Sequence, residues 1–302
     1  MHLSTLGNKA GMKSMKLQYK SREKILEEKC VDGVEYLSYP LLEKTGMVNH
    51  GFSTRIGGVS EGVCSSMNLS FARGDKEEAV RENFRRIAAA LDVKVENMVF
   101  SKQTHTTNVR VVTEEDRGKG TVKPLDYDQV DGLVTNIPGL CLATFYADCV
   151  PLFFVDPVQK AIGLSHSGWR GTVGKIGKIT VETMRKEYGT DPADVLAAVG
   201  PSICQKCYEV SEDVIEQFRI NYEQKYWEEL FYKKENGKFH LNLWKANEIV
   251  FGEAGIKAEH IAVTNVCTCC NPDVLFSHRA SHGKRGNLGA FMAIREGGTT
   301  CY

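Results

Sequence analysis

No excess of either charge marks this 302-residue chain, whose 38 Lys and Arg residues are matched by 38 Asp and Glu. A balanced surface supplies no global field for nucleic acid or for an anionic membrane, so neither is expected as a partner and small molecules are. Long apolar runs are missing too. No stretch reaches the roughly 20 residues that cross a bilayer, and the opening MHLSTLGNKAGMKSMKLQYKSREK is basic and polar, without the apolar centre of a secretory leader. The expectation is a cytoplasmic protein. Residues 1–20 carry few large apolar side chains, and Met12 and Met15 are alternative starts. That segment reads as a disordered N-terminal extension or a tag remnant, and 21–302 as a single catalytic domain.

Several catalytic signatures are absent as well. There is no H-E-x-x-H, no P-loop and no G-x-G-x-x-G. Zinc nucleobase deaminases of the cytidine type need H-x-E with P-C-x-x-C, but His105 is followed by Thr106 and Thr107, and Cys204 follows Ile203. In GLSHSG, Gly163, Ser165 and Ser167 are misplaced for a nucleophile elbow. Eight histidines without an H-x-H pair cannot furnish the many imidazoles of multicopper oxidation.

Neither a linker nor an internal repeat interrupts the chain. Extended apolar patterns fall at 34–42, 48–53, 98–101, 109–113, 132–135, 140–146, 151–155, 161–165, 195–199, 261–263 and 290–294. Amphipathic helices are predicted over 76–91, 173–188, 211–221 and 243–254. Strands lead and helices intersperse irregularly. The fold class is therefore α/β, one compact domain of mixed β-sheets packed with α-helices, without a regular βαβ winding.

What the chain does have is cysteine, ten in all. Without a secretory leader these point to a reducing compartment and free thiols. Cys149, in TFYADCVPLFFVDP, joins His105 of SKQTHTTNV and His166 of AIGLSHSGWRG as turn residues at the ends of apolar runs. Two imidazoles and one thiolate make a three-ligand zinc set with an open fourth position, the arrangement of a catalytic site. Asp148 adjoins Cys149, where it would handle a proton or orient a ligand imidazole. Arg55 and Arg170 each lie beside a glycine-rich bend and suit bidentate anion recognition, although Arg170 paired to an internal Asp is the competing reading. Lys102 and Gln103 would line the cleft beside His105, with a surface-facing Lys102 equally open. A second group comprises Cys204 and Cys207 with Cys267, Cys269 and Cys270. A C-x-x-C and a C-x-C-C together have the makings of a four-thiolate zinc site. Against it, the first pair lacks a glycine-bearing knuckle and a chain of this size needs no metal staple, so buried free thiols are the favoured reading, with zinc and a redox pair as alternatives.

FSTRIGGVS, KQTH, DGLVT, YADCVPLFFVDP, HSGWRG, GPSICQKCYEV and SHRASHGKRGNLGAFM, in that order and over nearly the whole chain from about residue 35, resemble the YfiH-type purine nucleoside phosphorylases. That family was long labelled laccase-type polyphenol oxidase and includes the mammalian protein FAMIN. The resemblance implies one zinc on the residues matching His105, Cys149 and His166. It implies phosphorolysis of adenosine, inosine and methylthioadenosine to the free base and ribose 1-phosphate, with adenosine deamination as a side activity. It puts Arg55 and Arg170 on family motifs at the cleft. The chain departs from the pattern near His278, where a hydrophobic or tyrosine residue is more usual, and this bears on the far wall of the pocket and on base preference. The expected site therefore has His105, Cys149 and His166 on metal; Asp148, Cys149 and Arg170 in catalysis; and Arg55, Arg170, Lys102 and Gln103 on substrate. Zinc is the expected cofactor, with copper possible in vitro because it outranks zinc in intrinsic affinity. Nucleosides and phosphate are the expected partners of a monomer or weak homodimer. A copper-dependent polyphenol oxidase and a metal-free hydrolase using Cys149 are the alternatives.

Overall fold

The computed structural model describes residues 15–297. The first half of the chain runs β1 (Glu27–Val31), β2 (Val34–Ser38), α1 (Pro40–Glu43), β3 (Val48–Ser53), α2 (Glu77–Ala90), β4 (Met98–Phe100), β5 (Val109–Val111), β6 (Gly132–Thr135) and β7 (Cys141–Tyr146). Then follow β8 (Val150–Asp156), β9 (Ala161–Ser167), α3 (Trp169–Val173), α4 (Ile176–Tyr188), β10 (Leu196–Val199), β11 (Glu209–Val210) and α5 (Glu212–Asn221). The last elements are α6 (Trp227–Leu230), β12 (Phe231–Lys233), β13 (Phe239–Leu241), α7 (Leu243–Glu253), β14 (Ile261–Val263) and β15 (Leu288–Ile294).

Strand alternation divides the apolar residues among three cores. On β15, Ala290, Met292 and Ile294 enter one core while Phe291 and Ala293 enter another. On β8, Phe153 and Val155 join the first core, and Leu152 and Phe154 a third. The shared core lies between two six-stranded sheets, ordered β1-β2-β3-β15-β7-β4 and β14-β10-β8-β9-β6-β5. Helix α2 covers the outer face of the first sheet with Val80, Phe84 and Ile87. Helices α4 and α7 cover the second, where the Phe154 and Phe251 rings lie 5.1 Å apart. Strands buried on both faces have no polar side to expose, which is why β8, β9 and β15 read as continuous apolar runs. The architecture is thus the expected mixed-sheet α/β domain, with a small third sheet β11-β13-β12 besides. Among the described residues no helix is long and apolar enough to cross a membrane.

Two expectations change in detail. The helix over 173–188 is broken at Gly174 and Lys175, where Lys175 takes a left-handed φ of 57°. A Cβ on Gly174 would lie 2.5 Å from Thr107 Cγ2, so the break lets α3 pack against the loop that carries His105. Of the segment before residue 20, residues 1–14 lie outside the described residues, whereas 15–20 are docked. Met15 is buried, the Gln18 amide donates to Asn271 Oδ1 at 2.6 Å, and the Lys20 amide donates to the Asn265 carbonyl at 2.8 Å. Two apolar side chains, Met15 and Leu17, and a few backbone hydrogen bonds hold a stretch whose composition alone suggests disorder.

Candidate metal centre and active site

The chain passes from the first sheet to the second at Ala147–Asp148–Cys149, between β7 and β8. At this corner Cys149 meets His166, near the end of β9, and His105, on the loop that follows β4. The Cys149 sulfur lies 3.8 Å from His105 Nε2, and the three ligand atoms all fall within 4.8 Å of one another. His105 sits at a left-handed φ of 66°. That strained turn is held by Asp131, whose carboxylate accepts the backbone amides of Thr104, His105 and Thr106, each at 3.0 Å. The same carboxylate accepts His166 Nδ1–H at 2.8 Å, which fixes the tautomer and leaves Nε2 free to ligate.

Cys149 and His166 form a thiolate–imidazolium pair, whose Nε2 proton zinc would displace on binding. Burial works against the Cys149 thiolate, but the charge on His166 and hydrogen bonds from both imidazoles bring its pKa down to about 6. Burial likewise opposes protonation of His166, yet the Cys149 thiolate and Asp131 push it up to about 9. Burial would raise Asp131 as well; His166 and the amides of the His105 loop instead hold it at about 2. A pre-formed thiolate beside two imidazoles, one of them braced by a carboxylate, fits zinc. The space is reserved for it. A Cβ on Gly168 would lie 2.7 Å from His105 Cδ2 and 3.2 Å from the Cys149 sulfur, so any larger residue would press on the donors.

The same three residues line a cavity of about 250 Å³ with Arg73, Lys102, Arg285 and Asn287. Arg73 Nε donates to Asn287 Oδ1 at 3.3 Å, and the Arg285 guanidinium reaches the same oxygen. Burial and the neighbouring charge of Arg73 push Arg285 down to about 10. Its Nε is buried without a hydrogen-bond partner among the described residues. Two crowded guanidiniums with unspent donors have the chemistry to take an anion.

Lys102 and Gln103 line the cavity as expected. Gln103 is also committed elsewhere, its amide donating to the Phe145 carbonyl and accepting the Phe145 N–H, each at 2.7 Å. Arg55 is not part of the cavity. Its guanidinium donates to the carbonyls of Ser65 at 2.7 Å and Pro272 at 2.8 Å and stacks over Phe276, so it ties loops together. Arg170 is exposed on the first turn of α3, 4.3 Å over the Trp169 ring, and does not line the cavity either. Among the described residues Arg170 makes no ion pair with an internal Asp, and its contact is with the Trp169 ring. Asp148, at φ 86°, accepts Thr268 Oγ1–H at 2.6 Å and the Arg279 amide at 2.7 Å. The carboxylate on a ligand imidazole is that of Asp131. His278, the departure from the family pattern, stands with Nδ1 3.5 Å from Arg285 Nη2, beside the cavity's cationic wall.

Asp131, Arg73, Arg285 and Asn287 carry no distinct mark in the sequence. Arg–Gly dipeptides occur at Arg73, Arg117, Arg170 and Arg285, so a glycine-flanked arginine does not by itself locate the cleft. Asp131 opens DGLVT and has the look of a strand-leading turn residue.

Residues 49–295 match the family described as multi-copper polyphenol oxidoreductase laccase. The chain is 35% identical over 247 residues to purine nucleoside phosphorylase YlmD of Bacillus subtilis, covering 82% of this chain and 88% of that protein. It is 34% identical over 270 residues to adenosine deaminase RL5 of an unknown prokaryotic organism, covering 85% and 92%. The crystal structure of YlmD from Geobacillus stearothermophilus superposes with a TM-score of 0.83 at 33% identity, over 90% of this chain and 99% of that one.

Proposed function

Since the chain belongs to the laccase-type polyphenol oxidoreductase family, among relatives named purine nucleoside phosphorylase, we propose that it is a purine nucleoside phosphorylase that depends on zinc. Its substrates in this reading are adenosine, inosine and methylthioadenosine, cleaved to free base and ribose 1-phosphate, with adenosine deamination as a second activity. The observation that carries it is the convergence of Arg73 and Arg285 on the cavity that also holds the His105, Cys149 and His166 donors.

His105, Cys149 and His166 would hold the zinc, which when bound supplies Lewis-acid polarisation of a substrate or water oxygen. Asp131 keeps the Nδ1 proton of His166 and the turn of His105 in place. Arg73 and Arg285, in place of the expected Arg55 and Arg170, clamp phosphate against C1′ of the ribose through charge-assisted hydrogen bonds. Lys102 adds a cation at the rim. Asp148 is a positioning residue: with both carboxylate oxygens held by Thr268 and Arg279, it fixes the turn that presents Cys149. Binding phosphate in a confined pocket strengthens its electrostatic hold and keeps bulk water from competing as the nucleophile.

A second reading is supported by the ionised Cys149 beside His166, itself oriented by Asp131. That is a nucleophile, base and orienter in series, as in a metal-free cysteine hydrolase. Copper-dependent phenol oxidation has less support, because among the described residues one donor group alone contains histidine. A nucleoside panel, assayed with and without phosphate on zinc-loaded and on metal-stripped protein, separates the three. The proposal expects base release with ribose 1-phosphate only when phosphate and zinc are both present. Equal base release without phosphate, with free ribose as product, overturns phosphorolysis. Full activity after metal stripping establishes the cysteine reading instead.

A further inference from the structure

Away from the cavity, strands β10 and β14 are parallel neighbours, with Val199 opposite Val263. Parallel strands send their next residues out on the same side of the sheet, and here the bridge continues to Ser202 and Cys267. Each extension carries a C-x-x-C, Cys204–Cys207 on one and Cys267–Cys270 on the other. The four sulfurs all lie within 4.8 Å of one another, with Cys207 and Cys270 3.4 Å apart. Four sulfurs about 2.3 Å from one zinc stand about 3.8 Å apart. The observed spacing accommodates a single tetrahedral ion. It is too long for sulfur–sulfur bonds and leaves no room for an iron–sulfur core.

We propose that Cys204, Cys207, Cys267 and Cys270 form a second, structural metal site that takes one zinc ion. The local backbone suits it. Cys207 N–H donates to the Cys204 carbonyl at 3.0 Å, so the turn over Gln205–Cys207 makes a knuckle without glycine. The Cys204 amide donates to the Cys267 sulfur at 3.2 Å, and Lys20 Nζ lies 3.0 Å from the Cys270 sulfur, offsetting part of the negative charge of four thiolates. Cys269 is not one of the four. The need for a staple is also local. Thr268, inside the second C-x-x-C, donates to Asp148, and the Ile203 amide donates to the Asp148 carbonyl at 3.0 Å. The metal would therefore lock the two loops that seat the residue before Cys149. This inference does not depend on the nucleoside reading.

Zinc stoichiometry tests it. Full-length protein should hold two zinc ions per chain, Cys149→Ala one, and the double variant Cys207→Ser/Cys270→Ser one. Cobalt loaded into Cys149→Ala protein should show strong thiolate charge-transfer absorption, and a thiol-specific mercurial should release its one ion as four thiols are titrated. That last readout stands if the double variant fails to fold. Cys149→Ala protein without zinc, a Cys207–Cys270 disulfide in the native protein, or bound iron overturns the proposal. Retention of one zinc in Cys149→Ala without any phosphate-dependent turnover in the parent protein would sink the nucleoside reading while leaving this one standing.

Discussion

Among the described residues there are two sulfur-bearing donor clusters, and their surroundings differ more than their composition. Around Cys149 there are three donors, a cavity, an exposed His105 and two arginines with donors to spare. Around Cys204 there are four sulfurs, and none of them lines the cavity that holds Arg73 and Arg285. A donor set short by one ligand and facing cations is built to exchange a ligand; a complete one is built to stay shut. The two are joined through Asp148, which sits next in sequence to Cys149 and hydrogen-bonds to Thr268 between two cysteines of the other cluster.

The sharpest way to break this contrast is to remove Cys149. Cys149→Ala should abolish turnover, at least about a thousandfold given the several kcal/mol that a Lewis acid contributes, while leaving the melting temperature near that of the parent because the other cluster is intact. A variant that keeps its activity would make the two clusters equivalent. Next comes the cationic wall. Arg285→Lys keeps the charge and loses the planar fork, so kcat/KM for phosphate should fall about ten- to a hundredfold, from about 1.5–3 kcal/mol of hydrogen bonding to a charged group. Deamination should fall much less. Arg55→Lys serves as the control: a lower melting temperature with phosphate use unchanged is expected, and the reverse pattern would return Arg55 to the site. The last effect, of similar size but on metal affinity alone, tests the brace. Asp131→Asn should weaken zinc at the Cys149 site by about 10- to 100-fold, as measured by chelator competition. It should leave the thiolate cluster's affinity unchanged. Equal weakening at both would show that Asp131 supports the fold at large.

Much of this was legible before any coordinates. Doubly buried strands announce themselves as apolar runs, and β6 and β14 fall where periodicity puts them. The grouping of His105, Cys149 and His166 was readable because Cys149 and His166 stand at strand ends and His105 on a turn that follows a strand. Arg285 was not readable. Its glycine neighbour is shared by Arg170, and only the return of the chain along β15 brings one of them to the cavity while leaving the other exposed on α3. Asp131 was hidden for a similar reason, since its work is to accept amides from a loop 25 to 27 residues earlier in the chain. The pairing of Cys204–Cys207 with Cys267–Cys270 depends on β10 and β14 being parallel neighbours, a fact of topology that spacing along one chain does not contain.

Strand β15 has a consequence for how the protein comes off the ribosome. It lies between β3 and β7 and pairs with both, so two strands synthesised long before it wait with open edges until residues 288–294 emerge. Arg285 and Asn287 arrive in the same stretch of translation. A nascent chain can thus bring His105, Cys149 and His166 out early, but it cannot join β3 to β7 or add Arg285 to the cavity wall until β15 slots home. Unfinished chains carry the aggregation risk of unpaired strand edges and lack Arg285 and Asn287 in the cavity wall.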